Sequence, residues 1–188
     1  MMFNKILVEE TINKFSKLEK RKKSGSFSEL LFSDMINYQS INIKMGNVLE
    51  RTWKKYINTC DGATLLDINK IEGYQIDLLF EYNNVVYYFE IKNNTNLDTE
   101  KTKAVFNKIN KMKDILTEKY NKRVECFVLS NRYDTHDNIN HIKAPLTKDM
   151  IFGYNDLLTL FGDNIEKQEW KIMMKEIGSL IIDLVKSK

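Results

Sequence analysis

The chain has 188 residues, enough for one domain with a real core and too few for two comfortable ones. Hydrophobic residues make up 43% and charged residues 29%, the balance of an ordinary globular protein and not of a disordered or fibrous one. With 29 Lys and Arg against 26 Asp and Glu the formal net charge is only +3, so overall charge announces no polyanionic partner and only local clustering could.

The opening MMFNKILVEETINKF carries early acids and no long apolar run, unlike a secretory leader. No stretch approaches the ~20 apolar residues of a membrane span. Cys60 and Cys126 sit among apolar neighbours without metal-motif spacing, as two reduced thiols would. A cytoplasmic protein with no membrane partner is the expectation.

Residues 2–20 read as a helix, with Ile6, Leu7, Ile12, Phe15 and Leu18 at roughly helical spacing. Arg21, Lys22 and Lys23 then precede Ser-Gly-Ser. That run suits either a solvated helix end, where cations face the negative dipole pole, or a phosphate-contacting arm. Residues 27–39 read as a short helix bearing Leu30, Leu31, Met35 and Ile36. A further helix, from near Met45 to Asn58, sets Leu49, Trp53, Tyr56 and Ile57 on one stripe. Glu50 lies at the edge of that stripe, about 100° round from Leu49. Lys54, four residues on, would make it an ordinary helical ion pair. Residues 63–68 read as a short strand ending near Asp67, a loop carboxylate.

The stretch from Gly73 to Asn94 reads as two strands, about 74–82 and 85–92, joined at Asn83-Asn84. Asn tolerates positive φ, so the pair can fill both central positions of a tight hairpin turn. Counting outwards, Tyr82 faces Val85, Phe80 faces Tyr87 and Asp77 faces Glu90. Lys92 points to the side of Glu90, opposite Gln75. Directly opposed like charges destabilise a strand pair by about 0.2–1 kcal/mol. A divalent cation would reverse that sign, because carboxylate oxygens are natural ligands of a hard ion such as magnesium.

Beyond the hairpin, Asp98 is a plausible N-cap, with Glu100 in the first turn of a helix running to about Tyr120. Val105, Ile109, Met112 and Leu116 form its apolar stripe, and its other faces carry Lys101, Lys103, Lys108, Lys111, Lys113 and Lys119. Arg123 to Leu129 reads as an apolar strand, parallel to the Glu90 strand because the helix before it is long enough to cross over. Residues 131–149 are polar and irregular and hold Pro145, His136 and His141, the two histidines reading as exposed loop residues. Gly162 ends a short helix that begins near Asn155 or Asp156. The last helix, about 164–186, presents Ile165, Met173, Ile177, Leu180, Ile181 and Leu184, a core face or a partner surface.

An Asp about a dozen residues before Glu-x-Lys, here Ile76-Asp77 and Glu90-Ile91-Lys92, resembles the PD-(D/E)xK nuclease superfamily, with Ile in place of the eponymous Pro. The order helix, strand, strand, strand, helix, strand is similar to its αβββαβ core, over roughly Gly46 to Ser130. The resemblance implies an α/β fold with a restriction-endonuclease-like αβββαβ core, a mixed central sheet flanked by helices, and extra N-terminal and C-terminal helices. One nuclease domain would span 1–188, with its core at about 46–130, a helical extension over 1–45, and a loop and helices over 131–188.

The resemblance further implies magnesium, with manganese as a substitute, held by Asp77, Glu90 and the Ile91 main-chain carbonyl. Glu50 would join them, because the superfamily often draws a Glu from the helix before its first core strand. Lys92 would orient the attacking water and stabilise the developing charge. The implied reaction cleaves a phosphodiester in double-stranded DNA to 5′-phosphate and 3′-hydroxyl ends. Chain size, the extra helices and the polar 131–149 segment favour a type II restriction endonuclease cutting at a short specific sequence. It would act as a homodimer, or as a subunit cutting one strand beside a larger partner. Lys101 and Lys103 adjoin the supposed site as phosphate contacts, with Arg21, Lys22 and Lys23 as the arm. Asn131, Arg132, His136 and Lys143 have the chemistry to read base edges. The alternatives are a resolvase or repair nuclease of the same superfamily, a non-catalytic DNA-binding module, and a structural protein whose hairpin charges simply pair.

Overall fold

Asn83 and Asn84 both adopt positive φ, 49° and 62°, the combination a type I′ hairpin turn requires. The chain reverses there, in the register counted from the sequence: Tyr82 pairs with Val85 and Phe80 with Tyr87. The computed structural model describes residues 2–17, 38–93, 98–139 and 142–186. Arg21, Lys22, Lys23, His141 and, up to residue 37, the helix expected over 27–39 lie outside the described residues.

In chain order the elements are helix α1 (Met2–Phe15), helix α2 (Tyr38–Ile57), strands β1 (Ala63–Leu65), β2 (Lys70–Ile71), β3 (Tyr74–Gln75), β4 (Leu78–Tyr82) and β5 (Val85–Lys92), helix α3 (Thr99–Tyr120), strand β6 (Arg123–Ser130), strand β7 (Ile151–Gly153), helix α4 (Tyr154–Thr159) and helix α5 (Lys167–Lys186). The sheet is mixed, in the order β1-β4-β5-β6-β7. β1, β4 and β5 are antiparallel neighbours, whereas β6 runs parallel to β5 and β7 parallel to β6. No helix among the described residues is long and apolar enough to cross a membrane.

The chain divides into two compact units, residues 1–52 with 171–188, and residues 53–170. In the first, α1 buries Phe3, Ile6, Leu7 and Phe15, and the Arg51 guanidinium lies 4.0 Å from the buried Glu10 carboxylate. The second unit contains the whole sheet. Its core joins Leu79, Val86, Tyr88, Val124, Cys126 and Val128 of the strands to Val105, Ile109, Met112 and Leu116 of α3. These are the stripe residues of α3 and the alternate positions of β5 and β6, so one sheet face is covered by the crossover helix. The other positions carry rings: Phe80 stacks between Tyr87 and Phe89 at 5.3 and 6.0 Å, and Phe127 meets Phe152 at 4.2 Å. Asp98 caps α3 as expected, accepting from the Lys101 N–H at 2.8 Å.

Three features depart from the sequence reading. The helix expected from Met45 begins at Tyr38. The strand expected over 74–82 is broken: Tyr74 and Gln75 pair with Ile71 and Lys70 in a separate two-stranded sheet, so Gln75 does not face Lys92. Glu72 and Gly73, at φ 47° and 83°, make that second tight turn, which takes the chain away before the main ladder starts. Finally, Ile151–Gly153 forms an edge strand, too short for its alternation to be readable.

If the Asn83-Asn84 turn fixes the hairpin, Asn84→Gly leaves stability nearly unchanged. Asn84→Val lowers it by about 1–2 kcal/mol, because a β-branched residue resists left-handed φ. Urea denaturation of the two variants against wild type measures the difference.

Candidate active site

Side chains alternate along β5, so Val86, Tyr88, Glu90 and Lys92 share one face, the face on which α3 packs. Glu90 is therefore delivered under the helix, and its side chain is only 7% exposed. A carboxylate so placed requires partners. Its Oε1 accepts from Lys92 Nζ at 2.7 Å, and its Oε2 accepts from Tyr88 Oη at 2.7 Å and from Lys108 Nζ. Burial pushes the Glu90 carboxyl up, but the Lys92 and Lys108 ammoniums outweigh it and hold the group below its ordinary value. Burial, and then the neighbouring Glu90 charge, push the Tyr88 phenol up, so it serves as a donor.

Asp77 comes to the same strand by a different route from the one expected. The β4–β5 ladder ends at the Leu78–Phe89 pair, and Asp77 lies one residue beyond it. Just before it, the Ile76 N–H turns away to donate to the Asn69 carbonyl at 3.0 Å. The Asp77 side chain then reaches β5, with Oδ2 accepting from the Ile91 N–H at 2.9 Å. Burial first, and the Glu90 charge second, push the Asp77 carboxyl up to about 6. Asp77, Glu90 and Lys92 thus gather at the end of one hairpin.

A cavity of about 390 Å³ opens beside this group, lined by Glu90, Lys92, Lys101, Ala104, Val105 and Lys108. Of the two helix lysines expected to face phosphate, Lys101 lines the cavity and Lys103 does not. Lys101 pairs with Asp98 at 2.7 Å on the exposed rim. The Lys101 hydrogen bond, and more weakly the Lys143 charge, hold Asp98 below the usual carboxylate range, which sets Lys143 near the same helix end. Lys108, read from the sequence only as one of the lysines off the apolar stripe, lines the cavity and contacts Glu90. The signal was its spacing: three residues past Val105 and four before Met112, it lies on the buried stripe of α3.

The segment expected to read bases is divided by its contacts. Asn131 is buried. Its Oδ1 accepts from Trp53 Nε1 at 2.8 Å, its Nδ2 donates to Asn93 Oδ1 at 3.1 Å, and its main-chain N–H donates to the Lys92 carbonyl at 3.2 Å. So Asn131 clamps the end of β5, where the sequence reading had it meeting DNA. Arg132 is exposed over the Tyr133 ring. His136 is tied to Asp156, through its ring Nδ1 at 3.1 Å and its main-chain N–H at 2.6 Å. Glu50 is half-buried on α2 and falls in the first compact unit, whereas Asp77, Glu90 and Lys92 fall in the second.

Two carboxylates and a main-chain carbonyl position are hard oxygen donors, and burial first and the Glu90 charge second disfavour the ionised Asp77 carboxylate, a cost that a bound cation would relieve. The donor set fits magnesium. Among the described residues no three His, Cys, Asp or Glu side chains are grouped to hold an ion, so the candidate donors here number two carboxylates. No protein-family model matches the chain, and no curated protein matches it in sequence.

The Asp77 carboxyl favours its proton in the folded state, which sets the sign of a test. It costs the fold nothing below its ordinary value of 3.8 and weakens it as pH rises through about 6, by about 3 kcal/mol at the limit. In EDTA, Asp77→Asn should raise the melting temperature at pH 8 and should have little effect at pH 4. Scanning calorimetry at both values checks this, and an equal shift at each would remove the electrostatic explanation. A second variant separates clamp from reader. Asn131→Ala removes the side-chain bonds to Trp53 and Asn93 and should lower stability by about 1–3 kcal/mol in urea denaturation.

Proposed function

We propose that the chain is a magnesium-dependent nuclease that hydrolyses phosphodiester bonds in DNA, of the type II restriction endonuclease class. The observation that carries this reading is the convergence of Asp77, Glu90 and Lys92, with the Lys92 ammonium 2.7 Å from Glu90 and the Asp77 carboxyl raised by burial and then by the Glu90 charge. The sequence of α2, three antiparallel strands, the crossover helix α3 and the parallel β6 supports the likeness to the αβββαβ core.

Phosphodiesters are anionic and repel hydroxide, so hydrolysis needs charge neutralised and a water positioned. Asp77, Glu90 and the Ile91 carbonyl are the groups that would hold magnesium, which when bound supplies Lewis-acid neutralisation of the phosphoryl oxygens. Tyr88 Oη holds the Glu90 carboxylate in place from below, and the Ile91 N–H holds that of Asp77. The Lys92 side chain is 29% exposed beside the cavity, so its Nζ can reach a water there while still contacting Glu90 Oε1. It orients that water and balances charge as the phosphorus gains a fifth oxygen.

Each chain carries one such set and cuts one strand. Double-strand cleavage then calls for a second copy or a larger partner subunit. Both arrangements, and a cytoplasmic setting, belong to this proposal.

The test is digestion of supercoiled plasmid and of several phage and genomic DNAs, with magnesium, with EDTA, and with Lys92→Ala. Discrete magnesium-dependent fragments are expected, with the variant slower by about a hundredfold or more. Nicks alone would indicate a one-strand subunit or a resolvase. Intact DNA throughout, with no magnesium-induced change in melting temperature, would leave a structural charge cluster in place of a nuclease.

A further inference from the structure

The Asp, Glu-x-Lys pattern accounts for one ammonium at the site, but two are present. Lys108 comes from α3, outside the pattern, and its Nζ donates to the same Glu90 carboxylate that Lys92 engages from the other oxygen. Its side chain is 18% exposed, with Nζ 6.0 Å from the centre of the Tyr88 ring. Holding a lysine there is unfavourable unless its charge is used, since one carboxylate with a tyrosine hydroxyl is already satisfied by Lys92 alone.

The cavity beside this cluster is lined by three lysines and the one Glu90 carboxylate. Ala104, small and exposed, sits between Lys101 and Lys108 on the cavity wall, so the helix leaves room between these two side chains. Lys101 lies two turns before Lys108 on the same face, at the rim. A cavity walled by Lys92, Lys108 and Lys101 around a single buried carboxylate is shaped for an anion with several oxygens. Ammoniums act as point charges on rotatable stems, which suits non-bridging phosphoryl oxygens better than planar carboxylates.

We infer that Lys108 is a second substrate-contacting lysine, which leaves Glu90 to bind a non-bridging oxygen of the phosphoryl group lodged in the cavity. The inference rests on the phosphodiester reading of the site, and deepens it by assigning the anion contact to the helix. Lys92 is then free to serve the water. No bond to Lys108 is made or broken; it supplies charge and orientation.

Three variants test it: Lys108→Gln, Lys108→Arg, and Lys111→Gln as a charge control on an exposed position of the same helix. Each is assayed for DNA cleavage and, separately, for binding of inorganic phosphate by calorimetry. Lys108→Gln should lower kcat/KM by about a hundredfold and abolish phosphate binding, with melting temperature close to wild type, while Lys108→Arg recovers much of both. Lys111→Gln should match wild type. If wild type cuts DNA and Lys108→Gln cuts as fast, the assignment is wrong and the nuclease reading survives. If wild type does not cut, phosphate decides alone: binding lost in Lys108→Gln upholds the anion contact without the nuclease, and binding unaltered in the variant overturns it.

Discussion

A carboxylate under a helix cannot stay ionised without cations or hydrogen-bond donors close by, and the placement of Glu90 sets the terms for everything near it. Its two oxygens accept from Lys92, Tyr88 and Lys108, contributed by β5 itself and by the helix that crosses it. Removing both ammoniums from such a cluster would leave the carboxylate uncompensated in a poorly solvated place, where the penalty is several kcal/mol for an unpaired ion. Asp77 sits near enough to feel this charge and is pushed up by it, after burial. The region is thus held near electrical balance, and small changes of proton or cation occupancy are felt across it.

The scaffold explains why the balance is possible. β5 is paired along its whole length with parallel β6, and as far as Phe89 with antiparallel β4. Its last residues are fixed again from outside the ladder, by the Asp77 carboxylate on the Ile91 N–H and by the Asn131 N–H on the Lys92 carbonyl. Trp53, at the far end of α2, secures Asn131 in turn. Charged groups on a strand end would otherwise fray, and here these bonds take over where the β4 pairing stops.

The same arrangement limits what the irregular segment after β6 can do. Ile139 and Leu146 enter the core and Asn131 serves the strand, so its side chains divide between structure and surface. Arg132 and Lys143 remain exposed, the second near the cavity rim.

Much of this was legible in the sequence, for local reasons. The Asn83-Asn84 turn, the strict alternation through β5, the Asp98 cap and the apolar stripe of α3 are all set by neighbours a few residues apart, and they place Glu90, Lys92 and the parallel β6 correctly. What local rules could not supply was tertiary. Gln75 left the hairpin because a second tight turn at Glu72-Gly73 claimed it for β2, and Asp77 reached Glu90's strand by its side chain and not by ladder pairing. Lys108 looked like any lysine on a long helix. Its spacing put it beside the buried stripe, but only the docking of α3 on the sheet decides that it meets a carboxylate, because that contact depends on where two elements far apart in the chain lie in space.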